Sequence, residues 1–215
     1  MKNGWTELVF ILDRSGSMSG LEKDTIGGFN SLLNRQKESE GECVVTTVLF
    51  DDRYELLHDR IPLRGITALT EKDYFVRGST ALFDAIGKTI HKIALVQKHT
   101  VEAERAEKVL FVITTDGMEN ASREYDVHGI RHLIQRQKAQ FGWEFLFLGA
   151  NIDAIGTAET MGIQADYATN FVADAQGTEL NYSALNDAVT HLRKNKSMKT
   201  DWKKSIEDDY HRRKK

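Results

Sequence analysis

Apolar positions along the chain predict strands that alternate with helices. Residues 8–12 and 109–114 form near-continuous apolar runs, which are typical of strands covered on both faces of a sheet, as in parallel α/β proteins. Other strands are predicted at 44–50, 53–58, 144–148 and 167–172.

Four further segments carry apolar residues at helical spacing, and we interpret each stripe as core packing. The stripes are Ile26, Phe29, Leu32 and Leu33; Leu82, Phe83, Ile86, Ile90 and Ile93; Val127, Ile130, Leu133 and Ile134; and Leu185, Ala188, Val189 and Leu192. Ser19 and Glu22 have the spacing of a capping box, which predicts the start of the first helix.

The tight break Phe50-Asp51-Asp52-Arg53 predicts a hairpin, so the third strand should run antiparallel to the second. Pro62, just past that strand, suits the edge of a sheet. The remaining strands alternate with helices, and such connections are right-handed and parallel. The sequence therefore predicts an α/β fold with a single doubly wound, Rossmann-like open sheet. The sheet should be mostly parallel, with one antiparallel edge strand and the strand order 3-2-1-4-5-6.

Composition fits one compact domain: the chain has 215 residues, of which 40% are hydrophobic and 28% charged. The formal net charge of -3 argues against a nucleic-acid partner. No apolar segment approaches the roughly 18 residues of a membrane span, and the N-terminus does not resemble a signal peptide. A single cysteine, Cys43, cannot form an intrachain disulfide. We expect a cytoplasmic, monomeric protein without a membrane or nucleic-acid partner.

We predict that a domain spans residues 1–192 and that residues 193–215 form a basic C-terminal tail or helix. The tail is rich in charge, with Trp202 and Tyr210 as apolar points. A solvated terminal helix, a frayed end and a basic docking segment all fit this composition.

Residues with oxygen ligands follow the first and fourth predicted strands. The first strand ends in Asp13-Arg14-Ser15-Gly16-Ser17, and residues two apart in an extended stretch point the same way. The fourth strand ends at Asp116, and Thr80 precedes the second major helix. Because strands one and four are neighbours in the predicted order, a crevice should open at their carboxyl ends and bring these side chains together.

Two carboxylates and three hydroxyls form a set of hard oxygen ligands that suits Mg²⁺ or Mn²⁺, and the absence of His and Cys argues against zinc. Two carboxylates at most neutralise a divalent ion. Such a site keeps a coordination position for a carboxylate from elsewhere. Glu119 and Asn120 are expected at the rim of the site. Asp84 either supports the site or is an acidic residue in the first turn of a helix, where it interacts favourably with the helix dipole.

The pattern Asp13-x-Ser15-x-Ser17, followed by Thr80 and Asp116-Gly117, resembles the metal-ion-dependent adhesion site (MIDAS) of von Willebrand factor type A (VWA) domains. The likeness covers roughly residues 6–192. It implies that the five side chains Asp13, Ser15, Ser17, Thr80 and Asp116 hold the metal, directly or through water.

The resemblance also implies a protein partner that offers an Asp or Glu side chain to the metal, and a last helix, here about 178–193, that shifts when the partner binds. Since a secretory signal is missing, the chain is similar to the stand-alone intracellular bacterial type. The function expected is therefore a non-enzymatic protein-binding module.

The alternative is a magnesium-dependent phosphate-ester hydrolase, in which Asp13 and Asp116 would flank the metal. Against it, the motif lacks a second acid two residues after Asp13 and has no general base.

Overall fold

The computed structural model describes residues 2–195, 197–199 and 201–214 and contains one six-stranded sheet between two layers of helices. The strands are β1 (Lys2–Asp13), β2 (Cys43–Phe50), β3 (Tyr54–Pro62), β4 (Ala106–Thr115), β5 (Glu144–Ala150) and β6 (Ala168–Phe171). The helices are α1 (Glu22–Lys37), α2 (Leu82–His99), α3 (Val127–Phe141), α4 (Ala154–Thr160), α5 (Ala175–Asn195) and α6 (Lys204–Arg213).

The strand order is β3-β2-β1-β4-β5-β6, as the sequence predicts. β3 runs antiparallel to β2 through the predicted hairpin, where Phe50 pairs with Tyr54, and all other pairs are parallel. The α/β class, the mostly parallel open sheet and its antiparallel edge strand are therefore confirmed.

Strand β1 lies in the middle of the sheet and is buried on both faces. Leu8, Phe10 and Leu12 belong to the core cluster that includes residues of α1, α5 and α6. Val9 and Ile11 belong to the cluster on the other face, with residues of α2, α3 and α4. Both faces therefore select apolar side chains, which explains why the run at 8–12 does not alternate.

Two helical features differ from the prediction. The capping box is wrong, because α1 begins at Glu22 after Leu21, and Ser19 lies outside the helix beyond a left-handed Gly20 at φ 92°. Glu22 instead accepts a hydrogen bond from the Gly20 N–H at 2.7 Å. Helix α4 carries no apolar stripe long enough to predict, and the carboxylate of Asp153 caps it.

The C-terminal segment packs on the sheet. Trp202 and Ile206 are buried in the core cluster around α1 and α5. The indole N–H of Trp202 donates to the carbonyl of Asp166, and Lys203 Nζ donates to the carbonyl of Ala168 on β6. Residues 204–213 of this segment form helix α6. Across the described ranges, no helix has the length and apolar character needed to cross a bilayer.

Candidate metal site

Three loops meet at the carboxyl ends of β1 and β4, and backbone hydrogen bonds join them. The N–H of Gly16, after β1, donates to the carbonyl of Gly78 at 3.2 Å. The N–H of Asn120, after β4, donates to the carbonyl of Thr80 at 3.0 Å, and the Asn120 side chain accepts the Thr80 N–H at 2.9 Å. The loop before α2 is thus held between the other two.

The three predicted hydroxyl ligands form one cluster in this crevice. Ser15 Oγ lies 3.0 Å from Ser17 Oγ, and Thr80 Oγ1 donates to Ser15 Oγ at 3.0 Å. Gly117 lies against the same cluster, because a Cβ there would stand 2.8 Å from Ser17 Oγ and 3.0 Å from Thr80 Oγ1. The structure therefore brings the predicted hydroxyls and the Asp116-Gly117 segment together.

The local geometry of the first motif differs from the extended stretch assumed from sequence. Ser15 is extended, but Gly16–Met18 forms a 3-10 turn directly after it. The hydroxyls of Ser15 and Ser17 therefore converge because the chain folds back in this turn, and not because residues two apart share one side of a strand.

Asp13 is fully buried at the end of β1 and is held on both carboxylate oxygens. Oδ1 accepts the Ser15 N–H at 2.7 Å, and Oδ2 accepts the Thr115 hydroxyl at 2.5 Å. Burial raises the pKa of Asp13 to about 6, hydrogen bonds from Thr115 and Ser15 oppose the rise, and the charge of Asp116 adds to it. Sequence reasoning missed Thr115, since a threonine at a strand end is also an ordinary strand residue.

Asp116 is 3% exposed, and among the described residues neither of its carboxylate oxygens has a hydrogen-bond partner. Burial raises the pKa of Asp116; the Ser17 hydroxyl lies close enough to oppose this rise without reaching hydrogen-bond geometry. Buried carboxylates are normally paired or bound to a metal, because the unpaired charge loses its hydration. Both oxygens of this side chain are therefore available as ligands for a cation.

The donor set fits a hard divalent cation. Two buried carboxylates that repel each other would be relieved by a positive ion between them, and the adjoining hydroxyls are neutral oxygen ligands. No group of three or more His, Cys, Asp and Glu side chains that could hold a metal occurs in the described ranges. Carboxylate and hydroxyl oxygens together are ligands that hard divalent cations accept.

A buried ion-pair cluster, also missed from sequence, supports the first loop. Arg14 lies between two predicted ligands and is fully buried; Nε donates to Asp51 at 3.0 Å and Nη2 to Glu55 at 2.6 Å. Asp51, predicted as a turn residue, also accepts the Arg53 N–H at 2.7 Å and the Arg77 guanidinium at 2.7 Å. Although burial opposes it, these hydrogen bonds lower the pKa of Asp51.

Acidic side chains hold the loop after β4 against helix α2. Glu119 Oε2 accepts the N–H of Phe83 in the first turn of α2 at 2.9 Å. Asp84 accepts three backbone N–H groups, those of Arg123, Glu124 and Tyr125. Glu119, Asn120 and Asp84 thus position the loop that carries Asp116.

The strand order and the three-segment crevice define the class of fold. No family model matches the chain, and no curated protein sequence does either. Solved structures with the same architecture are VWA-domain proteins, so the chain has a VWA fold.

One similar structure is proximal thread matrix protein 1 from the mussel byssus with a zinc-occupied MIDAS motif, at TM-score 0.59 and 13% identity, covering 86% of this chain and 46% of that one. Another is the manganese-loaded TRAP protein of Plasmodium vivax, at TM-score 0.54 and 14% identity, with 84% of this chain and 73% of that one covered. A third is VWA2, an ArnB paralog of Sulfolobus acidocaldarius, at TM-score 0.52 and 18% identity, with 89% of this chain and 45% of that one covered. The chain spans about half the length of the mussel protein.

Proposed function

We propose that the chain is a divalent-metal-dependent protein-binding module, in which a MIDAS-type site captures an acidic side chain of a partner protein. The metal, Mg²⁺ or Mn²⁺, would be held by Asp13, Ser15, Ser17, Thr80 and Asp116. The observation that carries the proposal is the buried Asp116 carboxylate, whose two oxygens lack partners among the described residues beside a cluster of three hydroxyls.

Charge balance supports the kind of partner. The two carboxylates at most neutralise a divalent ion, and the hydroxyls add no charge. A metal bound mainly by neutral oxygens stays electrophilic, so it attracts a further carboxylate from another protein. The zinc-occupied MIDAS of the mussel protein supports a divalent ion at this place in the fold, and the similar Plasmodium structure is loaded with another divalent ion, manganese.

Calorimetric titration of Mg²⁺ and Mn²⁺ into chelator-stripped protein tests the metal site. Saturable binding is expected in the wild type and should be lost in Asp116→Asn and Thr80→Val. Gly117→Ala should weaken it by about tenfold or more, because the added methyl displaces Ser17 and Thr80 hydroxyls. Asp59→Asn is the control, since it removes one acidic charge from a residue paired with Lys92 on the surface.

Thermal unfolding separates a metal site from a merely structural role of the same residue. Without metal, Asp116→Asn should be at least as stable as the wild type, because it removes a buried unpaired charge. Added Mg²⁺ should raise the melting temperature of the wild type only, by mass action. A wild type that neither binds metal nor is stabilised by it contradicts the proposal.

The protein-binding part requires a metal-dependent partner. A partner should be retained on immobilised wild-type chain in Mg²⁺, released by chelator and not retained on Asp116→Asn. The proposal involves no catalysis, so a phosphatase assay with a generic phosphate ester is the contrasting measurement. Turnover in Mg²⁺ that disappears in Asp13→Asn would replace the binding module with the hydrolase.

A further inference from the structure

An apolar groove of about 610 Å³ lies between α2 and α3, at the amino ends of β4 and β5. Ala106, the first residue of β4, and Trp143, just before β5, line it. Its walls come from the last turns of the two helices. The candidate metal site lies at the carboxyl ends of β1 and β4, so the groove is at the opposite end of the sheet.

Large apolar side chains stand exposed along this groove. Leu95 on α2 is 58% exposed and Phe141 at the end of α3 is 54% exposed, and both line it. Val101, in the loop that adjoins the groove, is 70% exposed. Exposed apolar groups gathered in one concave surface are typical of interaction sites, because their burial against a partner is favourable.

The rim of the groove is basic. Lys98, Arg105 and Arg136 line it, against one acidic residue, Glu102. Arg105 Nε donates to the carbonyl of Thr100 at 2.9 Å, which fixes its guanidinium beside the groove. Within the part of the chain that the structure describes, none of these three cations forms a salt bridge, so their charge is available to a partner.

The shape of the groove suits a helix. Both α2 and α3 start near the metal-site end of the sheet and finish at the other end, so their last turns run side by side in the same direction. Two adjacent helices leave a furrow that accepts a third helix through its apolar stripe. A second copy of this chain would set one basic rim against another, which disfavours that occupant.

We propose that this groove docks an amphipathic helix of another protein, whose apolar face packs on Leu95 and Phe141 and whose flanks carry Asp or Glu toward Lys98, Arg105 and Arg136. The site is separate from the metal site and does not depend on the proposed function. Binding at the groove should therefore be unchanged by chelator.

The probe is a displayed library of random peptides of about 16 residues, or roughly 24 Å as a helix, panned on the full chain. Counter-selection uses the double variant Leu95→Asp with Phe141→Asp, in which both exposed apolar contacts become acidic. Enriched peptides should carry apolar residues at helical spacing and a net negative charge. Their affinity is then measured by fluorescence anisotropy.

Leu95→Asp should weaken the binding of an enriched peptide by about tenfold or more, as expected for a central apolar contact. The double variant Lys98→Glu with Arg136→Glu should also weaken this binding. Met118→Asp is the matched control, since Met118 is 73% exposed and follows the Asp116-Gly117 segment at the other end. Its affinity should equal that of the wild type.

Four outcomes would overturn the proposal. These are no enrichment, enriched peptides that are basic or lack helical spacing, binding unaffected by Leu95→Asp, and a concentration-dependent dimer that Leu95→Asp dissociates. The last would assign the groove to a second copy of the chain.

Discussion

At the scale of single residues, Arg14 shows how a charge inside a binding motif can belong to the scaffold. Its guanidinium is fully buried and contacts Asp51, Glu55 and the carbonyl of Asp73. Removing one partner of a buried ion pair is costly, because the other charge stays buried without compensation. Arg14 thus ties the end of β1 to the hairpin while its neighbours face the crevice.

We expect Arg14→Met to lower the free energy of unfolding by about 3 kcal/mol, since Asp51 then keeps only Arg77 as a charged partner among the residues that the structure describes. Urea denaturation measures the difference. Arg53→Met is the control: Arg53 is 72% exposed and stands 4.0 Å from Asp52, so its loss should change stability by less than about 0.5 kcal/mol. Equal midpoints for both variants would show that the buried pair contributes little.

The site residues also show what sequence can predict. Asp13, Ser15, Ser17, Thr80 and Asp116 could be predicted as metal ligands because each follows or precedes an element whose periodicity is clear, and their role as ligands stays a prediction. The partners Thr115 and Arg14 could not, because their roles depend on contacts with residues 102 and 37 positions away. Sequence spacing carries no information about such distant contacts.

At the scale of elements, helix α1 is fitted closely to α5. An added Cβ at Gly28 would stand 2.1 Å from Cδ2 of Tyr182, which is buried on α5. The adjacent Gly27 has no atom within 4 Å of the same position. One turn of α1 therefore contains one glycine required by packing and one that is not.

This pair of glycines gives a matched test. Gly27→Ala should stabilise the chain by about 0.5–1 kcal/mol, because alanine loses less backbone entropy in a helix. Gly28→Ala has the same helix preference but should destabilise by about 2 kcal/mol through overpacking against Tyr182. Thermal or urea unfolding distinguishes them, and stabilisation by both would mean that the α1–α5 contact adapts without strain.

Helix α5 is also fixed at its carboxyl end. Arg193 Nη1 donates to the carbonyl and side chain of Gln36 at 2.8 and 2.9 Å, and Lys108 Nζ donates to the carbonyl of Leu192 at 2.8 Å. A shift of this helix, which remains a prediction from the resemblance, would have to break these hydrogen bonds.

At the scale of the whole molecule, Glu144 makes stability depend on pH. Burial raises the pKa of Glu144 to about 7, against the attraction of Lys138, and one of its carboxylate oxygens is buried without a partner among the described residues. A carboxyl whose pKa is raised in the folded state binds more protons folded than unfolded. Stability therefore falls as pH rises from about 4.5 through about 7.

We expect Glu144→Gln to remove this part of the pH dependence. As pH rises from acidic values to above 7, the free energy of unfolding of the variant should increase by about 1–2 kcal/mol relative to that of the wild type. This figure allows for the partial solvent exposure of the side chain. Urea unfolding across this pH range measures how the free energy of unfolding changes with pH. A constant destabilisation from the buried amide would not alter this slope. Parallel curves for the two proteins would rule out Glu144 as the titrating group.

The order of the sheet could be predicted because strand and helix patterns alternate and the hairpin is short. The position of the C-terminal segment could not, since its buried apolar residues Trp202 and Ile206 lie among acidic, basic and polar residues and form no recognisable stripe. The boundary between a domain of residues 1–192 and a tail therefore stays a prediction, although α6 packs on the sheet.

That C-terminal segment also bears on solubility. β6 is the last strand of an open sheet, and an unpaired last strand can recruit strands from other copies of the chain. Lys203 donates a hydrogen bond to the carbonyl of Ala168 in β6, and Trp202 donates one to the carbonyl of Asp166 just before it. Helix α6 lies against β6. A chain shortened after residue 195 should therefore aggregate. Analytical sedimentation should then show larger species as the protein concentration rises. On this account, α6 protects the edge of the sheet against polymerisation.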